Sequence, residues 1–399
     1  MGGENINSNH FDMLALCKEL NIGIKDYEQS RYSDLTNLNI NIDGISYTQA
    51  ECINSLLPFA PQMLADIDII PGPLNYQTIG KAARLDIPMS QYLNSIGMSS
   101  NSLAYKTLDL AYTEENGLDT DKNSALQMLW QISPTVNPKN YLIWGSSDER
   151  YHTQEGNSKI IEVLASKLEN QIMLNSSLIA AKSNGANYTI TLQTNGTTKE
   201  VTADILVLAL PFSTLRLADI SGLNLPAIKI KCINELSYGT NAKLMIGMKK
   251  RTWKQLGFLG ECLASNPIIL GWDNSLQQPG PQGGYTIFPG GQRGIDIGTG
   301  TPQDQINICL QKKEKLFPGF SKYTNGNVQR MHWLSYPYNL GSYSSYTAGQ
   351  FKTIAGAQNG PVGNIYFSGE HCSYLHQGFM NGGAESGRRI AQQIITKLG

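Results

Sequence analysis

Apolar and polar positions change rhythm partway along this chain. Near the start, Phe11, Leu14, Leu16 and Leu20 recur close to helical spacing, and Asn7, Ser8 or Asn9 is placed to cap that helix. From Asp26 to about Ser133, runs such as QMLADIDII, MSQYLNSIG and SALQMLWQI keep apolar residues three or four apart. They predict a mostly helical region, with Pro71, Gly72 and Pro73 marking helix ends. Around Asn157 the pattern shifts. NSKIIEVLASKL predicts an amphipathic helix, and YTITLQT and KEVTA then flank Asn195-Gly196, which suits a two-residue hairpin turn. Ile205 to Leu210 is an unbroken apolar run, as for a strand buried on both faces. AKLMIGM and YTIFP predict further strands, IYFSG the last strand, and GGAESGRRIAQQIITKL the last helix.

Composition narrows the class. At 399 residues, 41% hydrophobic and 16% charged, the chain is long for one core, so two domains or two interleaved ones are expected. The net charge of −1, with both signs mixed, gives no basic footprint for nucleic acid. Six cysteines show no CxxC spacing, which argues against a zinc ribbon, and a chain of this size does not need a disulfide framework. No apolar stretch approaches the ~20 residues of a membrane span. MGGENINSNH has neither the basic nor the apolar region of an export signal.

Candidate chemistry concentrates in NIYFSGEHCSYLHQGFMNGGAESGRRIAQQI, from Asn364 to Ile394. His371 and His376 are five apart, which does not put them on one helical face as a metal pair would require. Ser368 and Ser386 lack the flanking glycines of a nucleophile elbow. A cofactor cradle fits better. A strand ending in Gly and then a glycine-rich helix start present free N–H groups and a positive dipole end. Gly382, Gly383, Ala384 and Gly387 also remove side chains that would keep a flat ligand away. A close helix–sheet contact would use the same small residues, and this segment alone leaves both readings open. Elsewhere, Lys243 is the first charge entering an apolar strand, a position more often a solvated edge. Trp333, Tyr336, Tyr338, Tyr343 and Tyr346 form an aromatic-rich loop, a pattern more often core filling or turn than pocket.

Taken in order, DERYHTQEGNSKIIEVLASKL, IMLNSSLIAAK, ADILVLALPFSTLR, YGTNAKLMI, RTW, GSY, IYFSGEH and GFMNGGAESGRRIA resemble the flavin-containing amine oxidase family of monoamine, polyamine and L-amino-acid oxidases. The resemblance implies an α/β fold: a Rossmann-like FAD-binding domain interleaved with a substrate domain of helices plus a mixed sheet. The FAD-binding domain would take residues 1–20, 150–232 and 352–399, and the substrate domain residues 21–149 and 233–351. It implies oxidation of an amine C–N bond, with O2 as acceptor, giving an imine, then a carbonyl product, and H2O2. Lys243 would hold a water near the flavin, and Tyr343 and Phe379 would wall the substrate. Gly2, Gly3, Leu178, Trp333, Gly369, Glu370, Gly378, Phe379, Met380 and Ala384 would contact FAD. Ser342 stands where some members carry a flavin-linking Cys, so FAD is expected to bind non-covalently. The implied partners are a small-molecule amine and O2, with a homodimer as a further expectation.

One feature departs from the family. No G-x-G-x-x-G follows any strand, so the FAD-binding domain is expected to lack its first βαβ unit, with Met1 an internal methionine of a longer frame. The protein is expected in the cytoplasm if Met1 is the true start, and exported if a signal lies upstream. The alternatives are an inactive homologue acting as a binding or scaffold protein, and an L-amino-acid oxidase.

Overall fold

A computed structural model describes residues 2–30 and 35–399. Its largest sheet has seven strands, in the order Thr324–His332, Ala242–Met248, Gly283–Phe288, Ile269–Asp273, Phe258–Ala264, Thr36–Ile42 and Ile45–Tyr47. All neighbours are antiparallel except Phe258–Ala264 and Thr36–Ile42, which run parallel. Ala242–Met248 therefore has a neighbour on each side. Lys243 is not an edge residue, and the commoner reading of such a lysine does not hold here.

The strand Thr36–Ile42 corrects the expectation of a mostly helical segment from Asp26 to Ser133. Leu38, Ile40 and Ile42 alternate inward and are buried, and Asp43-Gly44 turns the chain back with φ of 53° and 87°. Period-two burial and an Asp-Gly turn outweigh the weak strand propensity of the intervening asparagines. Beyond this hairpin the region is helical, with Gln49–Leu56, Ala60–Ile67, Met89–Ser95, Leu103–Asn116 and Ala125–Gln131.

The hairpin around Asn195-Gly196 forms as expected, pairing Tyr188–Thr194 with Thr197–Ala203. Both turn residues have positive φ, 48° and 83°. Ser176–Ser183 completes a three-stranded antiparallel sheet. Leu206–Leu208 pairs in parallel with Ile365–Phe367. Leu206 and Leu208 are buried but Val207 is 41% exposed, so the predicted two-sided burial is corrected to one side. Among the described residues this sheet has only these two strands.

The first helix, Phe11–Glu19, differs in two details. Its N-cap is His10, with no side-chain cap, and the Asn7 backbone N–H donates to His10 Nδ1 at 3.2 Å. Met13, Cys17 and Leu20 face inward, whereas Phe11 is exposed. The last helix, Met380–Leu398, packs against it, and the Met13 N–H donates to Asn381 Oδ1 at 2.9 Å. That contact sets the glycine-rich helix start against the N-terminal glycines. Among the described residues, no helix is long and apolar enough to cross a membrane, and no group of three His, Cys, Asp or Glu could hold a metal.

Candidate active site

Lys243 is buried, and its Nζ donates to Glu4 Oε1 and to the Gly2 carbonyl, each at 2.8 Å. The other Glu4 oxygen accepts from Trp272 Nε1 at 2.9 Å. The Lys243 ammonium also lies 5.3 and 5.4 Å from the ring centres of Trp272 and Phe288. A buried cation needs this much compensation to stay in a core. Two of the three ammonium donors are used by Glu4 and the Gly2 carbonyl, and one N–H remains for a water or ligand.

Glu370 follows the strand Ile365–Phe367 and serves as a tie. Its carboxylate accepts from Ser344 N (2.9 Å), Ser344 Oγ (2.8 Å) and Gly378 N (2.7 Å). Burial pushes its pKa up, and these three donors pull it back toward the ionised form. The effect is to fasten the loop carrying Tyr343 to the turn carrying Phe379. Gly378 has φ of 83°, and a Cβ there would lie 3.3 Å from Tyr343 Cδ2, so the two segments touch. The Tyr343 hydroxyl donates to the Glu115 carbonyl at 2.6 Å.

These groups line a cavity of about 400 Å³ together with Gly2, Gly3, Trp333, Met380 and Gly383. The two glycines opening the last helix do different jobs. A Cβ on Gly382 would strike the His376 carbonyl at 2.2 Å, whereas a Cβ on Gly383 would meet nothing within 4 Å. Gly382 permits close packing. Gly383 keeps space open in front of a helix N-terminus that carries no side-chain cap. That space suits a flat ring such as a flavin, which gains negative charge on reduction, and a helix N-terminus favours that charge.

A second cavity of about 160 Å³ shares Gly3, Lys243, Phe288, Tyr343, Gly378 and Phe379 with the first. It runs on to Glu114, Glu115, Asn116 and Gln131. Burial and neighbouring carboxylates hold the Glu114 carboxyl well above its usual range, with Lys243 acting the other way. Burial, and then Glu149, push Glu115 up to about 7. Sequence reasoning missed both residues, although a signal existed. They close the helix Leu103–Asn116, before Gly117 in the left-handed conformation, and acidic residues in a last turn oppose the helix dipole.

Lys243, Tyr343 and Phe379 thus come together on the wall between the two cavities, and Gly2, Gly3, Trp333, Glu370, Gly378 and Met380 line the larger one. Three expected cofactor residues do not line it. Leu178 packs against the main core, and Ala384 against the cluster of Ile6 and Met13. Gly369 instead exchanges hydrogen bonds with Ser386 Oγ through its N–H and its carbonyl. The aromatic loop divides: Tyr346 is core, Tyr338 is mostly exposed, and Tyr343 and Trp333 face the cavity.

Comparison with known proteins gives a consistent picture. The sequence model for flavin containing amine oxidoreductase matches residues 1–395. Polyamine oxidase 4 of Oryza sativa subsp. japonica is 26% identical over 60% of this chain and 48% of its own length. Amine oxidase [flavin-containing] B of Canis lupus familiaris is 21% identical over 75% of this chain and 57% of its own. The chain spans about half the length of the curated relatives it matches. Among solved structures, putrescine oxidase bound to putrescine has a TM-score of 0.80 at 18% identity, covering 99% of this chain and 88% of that one. Cyclohexylamine oxidase from Brevibacterium oxydans has a TM-score of 0.81 at 15% identity, covering 100% and 87%. The fold is therefore that of these oxidases.

Proposed function

The chain belongs to the flavin-containing amine oxidoreductase family, and we propose that it oxidises the C–N bond of a primary or secondary amine. Dioxygen would be the electron acceptor, giving an imine and H2O2. A bound flavin supplies the acceptor for the hydride leaving the amine carbon. Gly2, Gly3, Trp333, Met380 and Gly383 would hold it in the larger cavity. Binding is proposed as non-covalent, because Ser342 offers a hydroxyl, engaged with Asn241 Oδ1 at 2.8 Å, and no thiol.

The protein's own residues then divide the remaining work. Tyr343 and Phe379 give the amine two aromatic walls, and hydride loss draws on its neutral form, whose lone pair drives it. Glu370 fixes the spacing of those walls through its three accepted hydrogen bonds. Lys243, oriented by Glu4, has the N–H left to hold a water at the junction of the cavities. An amino-acid substrate suits the site less well. Among the described residues no arginine lines either cavity, Lys243 is already paired, and a carboxylate would meet Glu114 and Glu115.

The observation that carries this reading is the open space at Gly383, beside the wall that Lys243, Tyr343 and Phe379 share. Adding FAD to the purified protein should give a yellow complex that bleaches anaerobically with an amine and recovers colour with air. A protein that stays colourless with added FAD contradicts catalysis by this chain and favours the scaffold alternative.

A further inference from the structure

The geometry points to Lys313 and Cys262 as a site of reversible covalent cross-linking, in which a peroxide oxidises the thiol and the amine then closes on its sulfur. Lys313 Nζ lies 3.0 Å from Cys262 Sγ, and both residues are 0% exposed. They stand 51 positions apart in the chain, on the helix Pro302–Leu316 and the strand Phe258–Ala264. Glu261, the neighbour of Cys262, lines a cavity with Glu4 and Trp272. Successive strand residues point to opposite faces, so Cys262 is turned away from the active-site side, into the core under Phe317 and Phe320.

Packing does not account for a lysine here. Lysines are almost never fully buried unless paired, and an apolar side chain would fill this core without the desolvation cost. Among the described residues no carboxylate pairs with Lys313, and its one hydrogen-bond partner is the Cys262 sulfur. Ring faces surround the rest, with the centre of Tyr285 at 3.7 Å and that of Phe317 at 5.2 Å. Cys262 is held too, since the Tyr285 hydroxyl donates to Sγ at 3.3 Å. Burial lowers the Lys313 pKa, and Cys262 acts the other way, so nitrogen and sulfur compete for one proton. Either outcome is reactive. A thiolate beside a lysine attacks peroxide, and a neutral amine is a nucleophile.

The step closes with hydrogen peroxide as the oxidant. The Cys262 thiolate attacks one peroxide oxygen: an S–O bond forms, the O–O bond breaks, and the departing hydroxide takes a proton from the Lys313 ammonium to become water. Sulfur is oxidised by two electrons and peroxide is reduced, leaving a sulfenic acid beside a neutral amine. Nζ then attacks Sγ: an N–S bond forms, the S–O bond breaks, and the hydroxyl leaves with a proton from nitrogen as a second water. A sulfenamide joins helix to strand, and a thiol reductant reverses it. Cys309, the other thiol near Lys313, is engaged elsewhere, with Arg293 Nη2 donating to its Sγ at 3.7 Å.

Treating the purified full chain with hydrogen peroxide, then mapping its peptides by mass without a thiol reductant, tests this. The peptide carrying Cys262 should be joined to the one carrying Lys313, lighter than their sum by two hydrogens, and dithiothreitol should separate them unmodified. The thermal midpoint should rise with the cross-link and fall back on reduction, because a closed loop restricts the unfolded chain. K313M should leave the peptides unjoined and let Cys262 run on to the sulfinic acid, without loss of fold. A wild-type Cys262 that stays a thiol, that reaches the sulfinic acid with Lys313 free, or that pairs with Cys309 would overturn the proposal. Wild-type mapping decides the matter if K313M does not fold. Added peroxide drives the reaction whether or not the chain oxidises an amine, so failure of the oxidase reading would leave the cross-link standing.

Discussion

Glu370, partly buried, and Glu114, buried, are glutamates beside the same aromatic wall, and they are treated in opposite ways. Glu370 receives three hydrogen bonds from the loop and turn it joins. Glu114 receives none at its carboxyl and stands against three other acids. Burial raises both pKa values, and the number of donors decides how each group is used. A satisfied buried carboxylate is a piece of architecture. An unsatisfied one facing a cavity is a vacancy, stable only while protonated or occupied.

The strongest way to break this contrast is Glu370→Ala. It strips the acceptor from three donors at once and should cost about 3–5 kcal/mol, with loss of flavin. The denaturation midpoint and bound flavin absorbance measure both. A change below about 1 kcal/mol would mean that Glu370 does not tie the two segments. Lys243→Met should come next. Flavin content is expected to stay near normal while reoxidation by O2 slows by about 100-fold, read by stopped-flow absorbance. Loss of flavin instead would make Lys243 structural. Because this variant strands the Glu4 carboxylate, adding Glu4→Gln should restore part of the stability without restoring the rate.

The smallest effect is the pH response of the empty pocket. The folded-state pKa of Glu115, about 7, lies above the usual glutamate value. Its contribution to stability is therefore present below the unfolded pKa and lost as pH rises toward and through about 7. The thermal midpoint of the amine-free protein should fall across that window, and Glu115→Gln should flatten the slope. A slope of equal size in the variant would assign the titration elsewhere.

Much of the site was legible because its parts lie next to strong local signals. The strand-then-glycine-helix pattern pointed to this segment, the resemblance to flavin amine oxidases implied the parts of Glu370, Phe379 and Met380 within it, and the Asn195-Gly196 turn located a hairpin. What stayed hidden depends on tertiary contact. Gly382 and Gly383 are adjacent and chemically identical, yet one packs against a carbonyl and the other faces open space. Thr36–Ile42 was taken into a helical region on the strength of apolar runs farther along, and its strand depends on parallel pairing with the distant Phe258–Ala264. Glu114 and Glu115 sat unnoticed in a helical stretch. Their place at its last turn gains meaning only when the Tyr343 hydroxyl is seen to reach the same backbone.

The central claim is that Gly383 is kept small for a flavin, and Gly383→Leu tests it most directly by titration with FAD. The substitution should lower flavin affinity by about 100-fold or more while leaving the denaturation midpoint of the flavin-free protein unchanged or raised, since glycine is a poor helix former. Unchanged flavin affinity, or a large loss of stability without flavin, would show that the space is not a cofactor cradle.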